Sequence, residues 1–325
     1  MSVADERRRF HADESLAVYM LRLLPEYSDA KVVRTRDPEV IKTADVVVDV
    51  GGIYDPASHR YDHHQREFVD TFGEGFSTRL SSAGLVYKHF GERVVRQILG
   101  WHAAEDTPKV HLLFRKIYKD MIQAYDGIDN GVPAYPSDVK PAYKDATGIS
   151  HRVSALNPWW NQPADDIDQR FMKAVEMAGS EFKERVRFLG LSWLPARTLV
   201  EDALHSRKDV HESGRIIVLD QFCPWKEHLQ QIEEENKLTE KNHPFYIVYQ
   251  DSSSQWRVQA VPVSPTSFES RKALPEPWRG IRDQALSTLT GIEGCVFVHA
   301  GGFIGGNLTK VGVTAVQAAR GRMDG

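Results

Sequence analysis

The chain has 325 residues, 41% of them apolar, and its 41 basic and 45 acidic side chains leave a formal net charge of −4. Such a composition belongs to a folded globular protein, excludes a collagen-like or wholly disordered chain, and offers no global positive field to pull it onto nucleic acid or an anionic membrane. No run approaches the roughly 18 apolar residues of a membrane span, Met1 to Phe10 is charged and predicts no secretory signal, and only Cys223 and Cys295 could serve a disulfide or thiolate site. A reducing intracellular compartment is expected, and any metal must be held by histidine and carboxylate.

Residues 14–24 place Leu16, Met20, Leu23 and Leu24 on one helical stripe, with Asp13 as the expected N-cap and Pro25 as the stop. Residues 31–33 and 46–50 read as short β-branched strands, the second ending at Gly51-Gly52. Helical patterns follow at 81–99 and 110–125. Residues 133–163 carry five prolines and read as loop, covering or lining something. A long helix is expected at 165–188 and a domain boundary near residue 200. Beyond it the pattern gives a strand at 215–219, a helix at 226–235, strands at 245–249 and 256–261, a helix at 280–289, a strand at 295–299, then a Gly-rich turn and a closing helix. The rhythm predicts an α/β fold with a parallel sheet in the N-terminal part and a smaller α/β domain behind it.

Asp62-His63-His64 by itself could be a polar loop. Its company changes the weighing: His11 and Asp13 stand at a helix entry, Asp49 ends a Val-rich strand, and Asp126 closes a helix. Ligands of open α/β sheets sit at the carboxyl ends of strands, where these elements can converge. Carboxylates with imidazoles and no thiols suit Mn²⁺ or Mg²⁺, and a shared carboxylate can hold two such ions for phosphoryl transfer. Asp129, in Asp-Asn-Gly, reads as turn chemistry. Gly301, Gly302, Gly305 and Gly306 read equally as an anion-binding turn or a tight connection. His299 just before them reads as ligand-facing, and Lys226 as a phosphate cation. Trp225 reads as core more than as a stacking ring, Trp159-Trp160 as an anchor of the Pro-rich loop, and Arg7-Arg8-Arg9 as solvated.

His11-Ala12-Asp13-Glu14, Val48-Asp49-Val50-Gly51-Gly52-Ile53-Tyr54-Asp55, Arg60-Tyr61-Asp62-His63-His64-Gln65 and Ala124-Tyr125-Asp126-Gly127-Ile128-Asp129-Asn130-Gly131 together resemble the successive motifs of the Myg (melanocyte proliferating gene) exonuclease family, a branch of the DHH phosphoesterase superfamily. Asn157-Pro158-Trp159-Trp160, the stretch from Gln221 to Leu229 and that from Val298 to Gly306 extend the likeness over nearly the whole chain. The resemblance implies a DHH domain (1–200), a smaller DHH-associated domain (201–325), a cleft between them, and 3′-to-5′ exonuclease activity on single-stranded RNA in the nucleus and mitochondrion. It implies two Mn²⁺ or Mg²⁺ ions held by His11, Asp13, Asp49, His63 and Asp126, with Asp49 bridging and His64 facing the substrate. Lys226, His299, Gly301, Gly302, Gly305 and Gly306 would then hold the substrate's phosphate and terminal nucleotide. The family's first motif opens with a further His where this chain has Glu6. Either Glu6 supplies an oxygen ligand there or one ion site lacks this ligand. Two other readings stay open: a phosphatase of pyrophosphate or short nucleotides, and a non-catalytic binding protein with one metal site lost.

Overall fold

A computed structural model describes residues 2–3 as backbone and residues 9–136, 138–163 and 165–312 in full. Glu6, Arg7 and Arg8 lie outside the described residues. The protein is mixed α/β, and its contacts divide it into two compact units, Met1–Gly190 and Leu191–Gly325.

In the first unit β1 (Ser2–Val3), β2 (Val47–Val48), β3 (Tyr54–Asp55) and β4 (Arg60–Tyr61) form a sheet in the order β1-β2-β4-β3. β2 runs parallel to both β1 and β4, and β3 is antiparallel. The hairpin of β5 (Thr71–Gly73) and β6 (Phe76–Arg79), which no sequence signal announced, stands apart. Residues 31–33, expected as a strand, belong to no sheet, because three β-branched or long residues without a ladder partner are not held as one.

The helices are α1 (Ala12–Arg22), α2 (Pro38–Lys42), α3 (Ser82–Leu99), α4 (Thr107–Ile117), α5 (Gln123–Asp129), α6 (Ile149–Ser154) and α7 (Ile167–Phe188). Nine of the eleven α1 residues are buried, so this helix is the centre of the unit, packed between α3 and α7. Gly179 makes that packing possible, since a Cβ there would overlap the Tyr19 ring. The N-cap of α1 is His11 and not Asp13, because Glu14 Oε1 accepts the His11 backbone N–H at 2.6 Å and starts the helix two residues earlier. Asp13 is thereby turned into the interior. α4 and α5 are one run joined by a π-helical turn, Tyr118–Ile122, and such wide turns recur at functional sites.

The second unit holds α8 (Leu194–His205), α9 (Arg207–Val210), β7 (Ile216–Val218), α10 (Lys226–Glu235), β8 (Tyr246–Gln250), β9 (Trp256–Ala260), α11 (Asp283–Thr290), β10 (Cys295–Val298) and β11 (Ile304–Asn307). Helix α8 spans the boundary expected near residue 200 but packs on α10, which puts the division at Gly190 and Leu191. The sheet order is β10-β11-β9-β8-β7, with only β7 and β8 parallel. Period-two alternation sends Ile217 and Ile247 to the face covered by α8 and α10, and Ile216, Tyr246 and Val248 to the face with Leu286 and Trp278. The Gly-rich segment does not open a helix as expected. It is the turn of a β-hairpin, and Gly305 and Gly306 are strand residues paired with β9 and β10. Their smallness serves packing, since a Cβ on Gly306 would come within 2.5 Å of Arg257 Nη1. Residues 310–312 are helical, and the rest of the segment expected as the closing helix lies outside the described residues. No described helix is long and apolar enough to cross a membrane.

Candidate metal centre

Parallel β2 ends at Val48, and at Asp49 the chain must turn away sharply. Asp49 takes a left-handed backbone, φ 63°, a conformation Asp tolerates at a cost of about 1 kcal/mol. Ser82, in the first turn of α3, donates its hydroxyl to Asp49 Oδ1 at 2.6 Å and fixes the carboxylate. Gly51 and Gly52 follow at φ 92° and 66°. That path brings the Gly52 N–H to Asp62 Oδ2 at 2.6 Å, at the end of the neighbouring strand β4.

Asp62 is buried and holds His64 twice, through the backbone N–H at 3.1 Å and the ring Nδ1 at 2.7 Å, both on Oδ1. His63 turns the other way, inward, with its Nε2 3.1 Å from Asp129 Oδ2 and 3.5 Å from Asp49 Oδ1. Neither contact has hydrogen-bond geometry, and both ring nitrogens of His63 are buried without a hydrogen bond. Asp13 enters from α1, fully buried, and its two carboxylate oxygens meet no partner beyond their neighbour Glu14. Ligand atoms of Asp13, His63 and Asp129 lie within 4.8 Å of one another, as do those of Asp49, His63 and His64 and those of His11, Asp13 and Glu14.

Charge explains what this arrangement needs. Burial, then the negative charge of Asp49, pushes Asp13 well above the usual carboxylate range. Burial pushes Asp49 the same way, against the hydrogen bond from Ser82, and burial with the charge of Asp13 raises Asp129. Three carboxylates that ionise reluctantly because they face one another in a low-dielectric pocket are relieved by a cation. Oxygen and imidazole donors left without hydrogen-bond partners, with no thiolate among them, fit a divalent metal. The Asp62 hydrogen bond raises His64 to about 9, burial opposing it, so this half-exposed imidazole is positively charged at neutral pH. Burial acts to raise Asp62, but the bonds from His64 and Gly52 outweigh it and keep it ionised.

The pocket around these groups has a volume of about 520 Å³, and Arg36, Arg79 and Ser150 line its rim. Arg79 is aimed by Asn130, which accepts from its Nε at 2.6 Å and donates to its backbone carbonyl at 2.9 Å.

A family model, MYG1_exonuc, described as Uncharacterised protein family (UPF0160), matches residues 3–320. The chain belongs to the MYG1 family. It is 48% identical to the MYG1 exonuclease of Homo sapiens over 316 residues, 95% of this chain and 83% of that one. Over 314 residues it is 48% identical to the MYG1 protein of Dictyostelium discoideum, covering 96% and 94% of the two chains. Over 328 residues it is 48% identical to the MYG1 protein C694.04c of Schizosaccharomyces pombe, covering 100% and 98%.

In this MYG1 family member the fold gathers His11, Asp13, Asp49, His63 and His64, but not Asp126. The Asp126 carboxylate is fully buried, accepting from the Ser81 N–H and hydroxyl at 2.9 and 2.8 Å and from the Tyr118 hydroxyl at 2.8 Å. It ties the N-terminus of α3 to the π-helical turn. Asp129, read from sequence as turn chemistry, supplies the oxygen facing Asp13 and His63 in its place. The signal was present: positions i and i+3 of one helix share a face, so either carboxylate of Asp126-Gly-Ile-Asp129 could point to the site. Of the second-unit residues, exposed Lys226 opens α10 while His299 and the glycines form the edge hairpin. His299 Nδ1 accepts the Gly301 N–H at 3.0 Å, which engages it inside its own turn. Gly302, at φ 69°, makes room for Arg279, and Gly305 and Gly306 line a small apolar cavity. Trp225 is core.

Proposed function

We propose that this protein is a metal-dependent phosphodiesterase, a 3′-to-5′ exonuclease of single-stranded RNA working with two Mn²⁺ or Mg²⁺ ions. The observation that carries the reading is the set of buried carboxylate and imidazole atoms without hydrogen-bond partners, converging beside His64. The mammalian relatives named MYG1 exonuclease support the nuclease class.

When bound, the ions supply positive charge and ready a water molecule for attack on phosphorus. His11, Asp13, Asp49, His63 and Asp129 are the residues that would hold them. Ser82 keeps Asp49 in one rotamer, so little reorganisation is left for the reaction itself. His64, charged through Asp62, neutralises charge growing on the non-bridging oxygens, and Arg79 grips the phosphate from the rim. Asp49→Asn keeps a residue that tolerates the left-handed backbone and removes the charge. With Mn²⁺ present, its turnover of 5′-labelled single-stranded RNA should fall at least about 1,000-fold while the wild-type chain shortens the label nucleotide by nucleotide. Near-normal turnover in the variant, or wild-type release of phosphate from pyrophosphate with RNA untouched, would overturn the reading.

A further inference from the structure

Tandem tryptophans in a Pro-rich loop ordinarily anchor the loop with their rings buried. Trp193, Trp225 and Trp278 are buried in this way, at 6%, 2% and 1% exposure, but Trp159 and Trp160 are 67% and 94% exposed. The loop carrying them is nonetheless fastened at both ends. At its root Asn157, itself buried, accepts the Phe10 backbone N–H and donates to the Phe10 carbonyl, both at 2.9 Å. At its tip the Trp159 N–H donates to the Gln162 side chain at 3.0 Å, and the Gln162 N–H donates back to the Trp159 carbonyl at 3.0 Å. Two large rings are therefore held out to solvent on a braced turn and contribute little to the core.

They border a cavity of about 490 Å³ that is also lined by Arg9 and Ser154. Its lining neighbours that of the metal pocket along the chain at two places. Arg9 is two residues from His11 of the metal pocket, and Ser154 is one helical turn, about 6 Å along α6, from Ser150 of its rim. A flat aromatic pair beside a cation, on segments that also supply the pocket assigned to phosphodiesters, matches what unpaired bases need: a stacking face and a partner for the backbone charge.

We infer that Trp159 and Trp160 with Arg9 form a base-stacking subsite that holds single-stranded nucleic acid as it enters the metal pocket. The inference rests on the phosphodiesterase reading and assigns the strand's bases, not its reacting phosphate, to this loop. Stacking on an aromatic ring is sequence-tolerant, so the subsite grips any single strand and rejects a duplex, whose bases are already stacked.

The test separates binding from turnover. Trp159→Ala, Trp160→Ala and the double variant should keep the wild-type melting temperature, since both rings are exposed. Fluorescence anisotropy with a 5′-labelled single-stranded oligoribonucleotide in EDTA should show Kd rising at least about tenfold in the double variant, with Trp160→Phe close to wild type. Mn²⁺ affinity read by calorimetry should be unchanged, since the ion's donors lie outside this loop. Wild-type protein that neither binds nor shortens RNA would overturn the phosphodiesterase reading together with this one. Wild-type protein that does both, with the double variant indistinguishable from it, would overturn the subsite alone. So would a change of oligomeric state in the double variant at equal RNA affinity, since the rings would then be the contact with a second copy.

Discussion

Gly84→Ala tests the structural place of Asp126. Replacing a helical glycine by alanine ordinarily stabilises a helix by up to about 1 kcal/mol, and Gly84 stands in the first turn of α3. Here the sign should reverse. A Cβ on Gly84 would lie 2.6 Å from Asp126 Oδ2, 2.7 Å from its Cγ, and closer still to Oδ1. That carboxylate cannot swing aside, because it is fully buried and held by Ser81 through Oδ1 and by Tyr118 through Oδ2. Relieving the overlap by shifting helices costs about 1–3 kcal/mol, and breaking bonds to a buried charged acceptor costs about 1.5–3 kcal/mol. After the alanine gain the net expectation is about 1.5–5 kcal/mol of destabilisation, a drop in melting temperature of roughly 3–20 °C for a unit of this size. Differential scanning fluorimetry and urea unfolding of wild type and variant measure it. A variant as stable as wild type, or more so, would mean that the Asp126 side chain is not held between Ser81 and Tyr118. The assignment of the metal-facing oxygen to Asp129 would then fall.

Asp62→Asn should remove the partner that keeps His64 charged. Activity requiring imidazolium persists below the raised value of about 9 and is lost as pH climbs through it, so the variant's alkaline limb should move down toward the ordinary histidine range, and an unmoved limb would refute the role. The pair's small contribution to stability has the same sign, present below the ordinary histidine value and lost as pH rises through about 9. In EDTA the raised Asp13, Asp49 and Asp129 keep protons that the unfolded chain has released, so stability should fall as pH rises from about 4 to above 7. Adding Mn²⁺ should flatten that dependence, and melting curves with parallel pH profiles with and without the ion would contradict the repulsion argument.

The amino-acid sequence alone determined the elements whose signal is local. The α3 helix, the Lys226–Glu235 helix and strands β7, β8, β9 and β10 of the second unit follow from 3.6- and 2-residue apolar periods, which depend only on neighbours along the chain. The donor types of the candidate centre were equally legible, because imidazole and carboxylate without thiol limit the metal chemistry whatever the fold. Tertiary structure decided which of those groups meet. Asp126 and Asp129 share one helix face, and only the packing of α5 against Ser81 and Tyr118 turns one carboxylate inward and leaves the other to His63. Asp13 became an interior group because Glu14 captures the His11 N–H and moves the helix start. The glycines from Gly301 to Gly306 carry no period that separates an anion-binding turn from a hairpin, and pairing with β9 supplied the answer. Trp159 and Trp160 read as anchors from their apolar area, yet Asn157 and Gln162 fasten the loop by hydrogen bonds and free both rings for solvent. Orientation of this kind is set by contacts between residues as far apart as Phe10 and Asn157, which no pattern within a window of the chain encodes.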